Sequence, residues 1–197
     1  MKAVKVCVAV ALGALALAGC TPSFVTNSQG DVLLTITEIA GVAGAGPEAD
    51  QDASSLFSDV VTDGGVINDN AKVSVRLDLK NGNNAVTAGN FNDVLLERYE
   101  VSFTRTDGHN TQGVDVPYAF SGPMAIQVSV GGTTDAVFVI VRHEAKREEP
   151  LRNMQGGGGL NILHCIANIT IHGRTTAGSA VQASGRLEVT FADFADQ

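Results

Sequence analysis

Four histidines, one cysteine in the body of the chain and a run of loop amides and carboxylates are the residues here whose chemistry would make a site. His109, His143, His164 and His172 are the nitrogen ligands a transition metal would use, but their spacing works against it. No HxH or HExxH pattern occurs. His164 and His172 share parity on one strand-like run, yet the intervening extended chain separates them by more than roughly 20 Å. Scattered strand and turn histidines are the better reading. An oxygen-based site has more in its favour. Asp63, Asn68, Asp69 and Asn70 in TDGGVINDN (62–70), with NGNN (81–84) after the next strand, are hard ligands of the kind calcium gathers, about six to eight at a time. The spacing does not fit an EF-hand loop, and turn chemistry alone accounts for Asp, Asn and Gly there. Calcium is therefore the alternative, and no metal ligand is assigned. For nucleophilic catalysis the pattern is poor. No GxSxG elbow occurs, and Cys165 sits among apolar neighbours (NILHCI, 161–166) without a base in the right relation. Neither a catalytic set nor a cofactor motif is expected, so the domain reads as non-catalytic.

The elements that would carry these residues are strands. DVLLTITEI (31–39) opens the pattern, and LFSDVV (56–61) is either a short strand or a helical turn. In AKVSVRLDLK (71–80), Val73, Val75, Leu77 and Leu79 alternate with Ser74, Arg76 and Asp78. VLLERYEVSFTR (94–105) puts Leu95, Tyr99, Val101 and Phe103 on one face, interrupted by Glu97, and Asp107-Gly108 supplies a hairpin-type turn. MAIQVSV (124–130), Gly131-Gly132 and DAVFVIVRH (135–143) predict a hairpin, with Ala136–Val141 apolar on both faces as in a central strand. LNILHCIANITIHGR (160–174) and VQASGRLEVTFADF (181–194) predict a long closing hairpin. About seven to nine strands parted by Gly, Asn and Asp turns argue an all-β fold, an antiparallel β-sandwich. The oddest segment is EAKREEPLRNMQGGGG (144–159), mixed charges followed by Pro150 and four glycines. It reads as a solvated connector crossing between two sheets, and as the place to look for a binding surface.

The chain begins MKAVKVCVAVALGALALAGCTPSF. Lys2 and Lys5 precede an apolar run from Val6 to Ala18, 13 residues, shorter than the roughly 20 that span a bilayer. This is the form of a secretory leader, and Ala16-Leu17-Ala18 would serve as an ordinary cut site. Leu17-Ala18-Gly19-Cys20 resembles the lipobox of bacterial lipoproteins residue for residue. That resemblance implies a signal peptide over 1–19, cleavage before Cys20 and acyl groups on Cys20. It also implies a tether over 20–30 and a single domain over 31–197. Thr21 follows Cys20 where Asp would retain a lipoprotein at the inner membrane of enteric bacteria, which favours the outer membrane. The pattern over 160–194 also resembles the final F–G hairpin of immunoglobulin-like domains in bacterial exported proteins. With no Trp, a disulfide-free, fibronectin-III-like sandwich is the closer analogy. Together the two resemblances imply a small bacterial lipoprotein carrying one such sandwich.

Charge narrows the partners. The whole chain carries 13 basic and 21 acidic residues, net −8, and loss of the leader with Lys2 and Lys5 makes it more acidic. Such a surface repels phosphates, so nucleic acid is not an expected partner. Cys7 leaves with the leader and Cys20 carries lipid, so Cys165 stands alone and no intrachain disulfide is expected. The expected partners are the membrane, through the N-terminal lipid, and another envelope protein or a glycan. A calcium-dependent carbohydrate-binding or adhesion module is the alternative, and a hydrolase the remoter one.

Overall fold

In a computed structural model, residues 30–42, 54–80 and 90–194 are described. Among the described residues, eight strands form two sheets: β1 (Val32–Val42), β2 (Ser55–Asp59), β3 (Asp69–Leu79), β4 (Val94–Thr104), β5 (Phe120–Val128), β6 (Thr133–Val141), β7 (Leu163–Thr175) and β8 (Ala180–Ala192). One sheet has the order β1-β3-β6 and the other β2-β8-β7-β4-β5. The architecture is an all-β sandwich. With β2 set aside, three strands, β1-β3-β6, face four, β8-β7-β4-β5. All pairings are antiparallel except that of β2, which runs parallel to β8 from Ser55 beside Glu188 to Asp59 beside Ala192. LFSDVV is thus a short strand, and the sheet it joins is mixed.

Alternation explains most of the inner surface. Ala71, Val73, Val75 and Leu77 of β3 are buried, as are Cys165, Ala167, Ile169 and Ile171 of β7 and Leu187, Val189 and Phe191 of β8. The closing hairpin forms as expected, pairing Leu163 with Phe191 through to Arg174 with Ala180.

Three expectations need correction. On β4 the register shifts between Leu96 and Arg98. This bulge at Glu97 places an extra residue in the strand, so Val94 and Leu96 face the core before it and Tyr99, Val101 and Phe103 after it. Leu95 therefore points outward. The segments around Gly131-Gly132 do not pair with each other: β5 lies in the five-stranded sheet and β6 in the three-stranded one. The glycines make the crossing instead. The Gly131 N–H donates to Leu77 O at 2.7 Å, and Gly132 O accepts from the Leu77 N–H at 3.2 Å. Finally, β6 is an edge among the described residues rather than a central strand, and its Val137 is exposed. The other sheet ends in β5, where Pro123, which cannot donate to a ladder, is compatible with an edge.

Aromatic contacts seal the interior. Tyr99 lies 4.4 Å from Phe138 across the two sheets, centroid to centroid, and Phe103 meets Phe191 edge to face at 5.8 Å. Beside Tyr99 on the neighbouring strand is Gly122, where a Cβ would come within 2.5 Å of the phenol ring. Glycine there is what admits the ring.

Candidate functional site

The ends of the sandwich differ. The chain enters at one end, where Gly30 lies against Ser179 of the β7–β8 turn. At the other end, two long connections meet: 105–119 between β4 and β5, and 142–162 between β6 and β7. The sequence reads the second as a solvated connector. It does cross between the sheets, but it is built into the core. His143–Lys146 forms one helical turn, α1, and Leu151–Met154 a 3-10 turn. Ala145, Leu151 and Met154 are buried, and Lys146 is fully buried.

Lys146 has a specific partner. Its Nζ lies 2.9 Å from Oδ2 of Asp69, and the Ser58 hydroxyl donates to the same oxygen at 2.6 Å. Ser58 belongs to β2 and Asp69 to β3, so one buried carboxylate joins both sheets and the connector. All three residues are sealed from solvent. What the group does is hold α1 against the sandwich, since an ammonium in an apolar interior needs a countercharge. The signal for it lay in β3. Extending the inward parity of Val73 and Ala71 back two residues puts Asp69 at an inward position, where a carboxylate needs a partner.

Downstream of this anchor the connector turns outward. Gly156, Gly158 and Gly159 adopt φ of +74°, +55° and +76°, backbone that side chains rarely allow. The Gly156 N–H donates to Asp193 Oδ2. The chain then presents Leu160 and Ile162, 90 % and 54 % exposed, beside Val114 of the other connection, 63 % exposed. They border a shallow depression of about 370 Å³ floored by Met154 and Leu163, with Arg105 and Asp115 beside it. The 105–119 connection is braced by its own side chains. The Arg105 N–H donates to Asn110 Oδ1 at 2.6 Å and the Thr111 N–H to Asp115 Oδ2 at 3.0 Å. The Arg105 guanidinium holds the Asp107 carboxyl below its usual range, and hydrogen bonds from Thr111 do the same for Asp115. The apolar side chains therefore stand on a braced frame.

The other candidates disperse. Asp69 is taken by Lys146, and Asn68 Oδ1 accepts from the His143 N–H at 2.7 Å. Asp63 sits in an exposed turn at φ +50°, Asn70 pairs with Val42 and Val139 in the three-stranded sheet, and 81–84 lie outside the described residues. His143 also places Nε2 3.1 Å from Glu144. His109 lies 3.5 Å from Asp107, His164 lies 3.1 Å from the Thr190 hydroxyl, and His172 lies 3.5 Å from Glu100. Among the described residues, no group of three His, Cys, Asp or Glu is placed to hold a metal ion. Cys165 is almost wholly buried, and burial pushes its thiol up to about 12. A thiol so placed is not a nucleophile near neutrality. Cys20 and the whole leader lie outside the described residues.

No protein-family model matches the chain, and a comparison with curated proteins finds no match.

Proposed function

We propose that the chain is a cell-envelope lipoprotein, held at the outer membrane by acyl groups on Cys20, whose β-sandwich is a non-catalytic binding module for another envelope protein. The observation that carries the binding reading is the apolar group Val114, Leu160 and Ile162, presented together on a hydrogen-bonded frame. Contiguous exposed apolar surface with a polar rim is what a protein interface covers. Its side chains are aliphatic, which suits apolar side chains of a partner. The anchor reading rests on Leu17-Ala18-Gly19-Cys20 and the short charged leader before it. Two or more acyl chains hold a protein stably at a bilayer.

The test uses the full chain in a bacterium with two membranes. Labelling with a palmitate analogue and intact mass are compared for the natural chain and Cys20→Ser. A photo-crosslinking residue is placed at Ile162 or, as control, at Val137. Acylation lost in Cys20→Ser, with a discrete adduct from 162 but not 137 that Leu160→Asp abolishes, is the expected result. A chain with no acyl label refutes the anchor. Acylation without an adduct at 162 refutes the binding surface.

A further inference from the structure

The opposite end of the sandwich carries a different feature. Phe91 is 75 % exposed in a 3-10 turn over Asn90–Asn92, and its carbonyl accepts from the Ala177 N–H at 3.1 Å. Ala177 belongs to the same β7–β8 turn that Gly30 touches, so Phe91 sits at the end where the chain enters the domain. Nine residues, 21–29, lie between Cys20 and Gly30, ten Cα steps with a contour of at most about 36 Å. The 13 residues of β7 put the Leu160 end roughly 43 Å away along the strand.

Three described turns at this end carry little charge of their own. The turns 90–93, 129–132 and 176–179 contain a single ionisable side chain, Asp93. Its carboxylate is engaged by the Val130 N–H at 3.1 Å and the Ser129 hydroxyl at 3.3 Å. Exposed Asp31, Lys80 and Arg174 flank these turns, the first two joined through the backbone by the Lys80 N–H, which donates to Asp31 O at 2.8 Å. The Leu160 end, by contrast, carries Arg105, Asp107, Asp115, Glu144, Arg147 and Arg152. In an acidic protein, described turns with so few ionisable side chains approach a membrane with less desolvation than the charged connections at the Leu160 end.

We propose that Phe91 inserts into the headgroup–acyl boundary of the membrane holding the lipid anchor, as a second contact beside the acyl chains. The inference rests on the reading that Cys20 is acylated. Its occupant is a lipid surface because the tether is short and ends beside Phe91. An aromatic ring at that depth gains from burying its apolar body. The contact directs the Val114–Leu160–Ile162 end away from the bilayer, toward a partner.

Because the chain has no tryptophan, Phe91→Trp introduces a single fluorescent reporter, and Leu160→Trp, in a separate protein, reports from the far end. The purified acylated full chain is reconstituted with vesicles of phosphatidylethanolamine and phosphatidylglycerol, with or without brominated acyl chains. The expected result is co-flotation with vesicles and a blue-shifted emission from Phe91→Trp. Bromine should quench Phe91→Trp at least about twofold more than Leu160→Trp. Co-flotation with Phe91→Trp unshifted and unquenched overturns the insertion and leaves the anchor standing. A blue shift without bromine quenching means that protein covers the ring, and overturns it as well. Failure to float, with no acyl mass on Cys20, overturns both.

Discussion

Replacing Lys146 with methionine keeps the length of the side chain and removes its charge, leaving the Asp69 carboxylate in the interior without the ammonium beside it. At 2.9 Å the lost attraction is about 6 kcal/mol for an effective dielectric of about 20. Folding has already desolvated both ions at a cost of several kcal/mol each, so the intact pair contributes little net stability. The single substitution behaves differently, because it removes the countercharge of a buried ion, and the expected loss is about 3–5 kcal/mol. Against a total of about 5–15 kcal/mol that is a large fraction, and it lowers Tm by roughly 6–20 °C. Asp69→Asn combined with Lys146→Met removes both charges and retains an acceptor for the Ser58 hydroxyl. The double variant is expected within about 1 kcal/mol of the natural chain, a strongly non-additive cycle. Urea unfolding followed by circular dichroism measures all four corners. A Lys146→Met cost below about 1 kcal/mol, or a double variant as unstable as the sum of the singles, refutes the argument that the lysine is buried against Asp69.

Three further outcomes are expected. Burial holds the Cys165 thiol protonated up to about 12, while in the unfolded chain it ionises near 8.5. The folded state therefore binds the extra proton between those values, and stability falls as pH rises through them, by up to about 1.4 kcal/mol per pH unit. Cys165→Ala should flatten that slope in urea midpoints taken from pH 8 to 11, and parallel curves for the two proteins would contradict it. Gly122→Ala drives a methyl to within 2.5 Å of a Tyr99 ring whose centroid already lies 4.4 Å from that of Phe138. The expected cost is about 1–3 kcal/mol, and an unchanged denaturation midpoint would mean that the ring has room to retreat. Gly173→Ala should be more costly than Gly185→Ala. The first methyl meets the Leu95 carbonyl at 2.6 Å, which is backbone, and the second meets the Ile39 Cδ1 tip at 2.3 Å, which can rotate away. Equal midpoints for the two would show that the backbone yields as easily as a side chain.

Strand content was legible because period-two alternation is a local property: β3, β7 and β8 each place apolar residues at alternate positions with few interruptions. What alternation does not encode is the partner. Nothing in Gly131-Gly132 distinguishes a hairpin from a crossing between sheets, because both need a tight turn and the choice depends on Leu77, which is distant in sequence. The bulge at Glu97 was visible only as a charged interruption, and it inverted the assignment of Leu95. The candidate surface, Val114, Leu160 and Ile162, lies beside the glycine-rich segment 144–159 and not in it, and the buried anchor of that segment was hidden. Lys146 stands in the charged run Glu144 to Glu149, where a lysine ordinarily meets water, and only the inward parity of Asp69 announced the need for it.

The parallel pairing of β2 with the last residues of β8 has a kinetic consequence. Asp59 faces Ala192 across that ladder, and the Phe194 N–H donates to Asp59 Oδ1 at 2.9 Å. A chain delivered from its N-terminus presents β2 well before β8, the strand that receives it. Until residues near 190 emerge, β2 has no ladder among the described strands, and β7 and β8 are the latest of those strands to arrive. Contacts of such long sequence separation form slowly. The domain is thereby kept from closing early, and a chain truncated before β8 exposes an unpaired β7 edge with the tendency to self-associate that such edges carry.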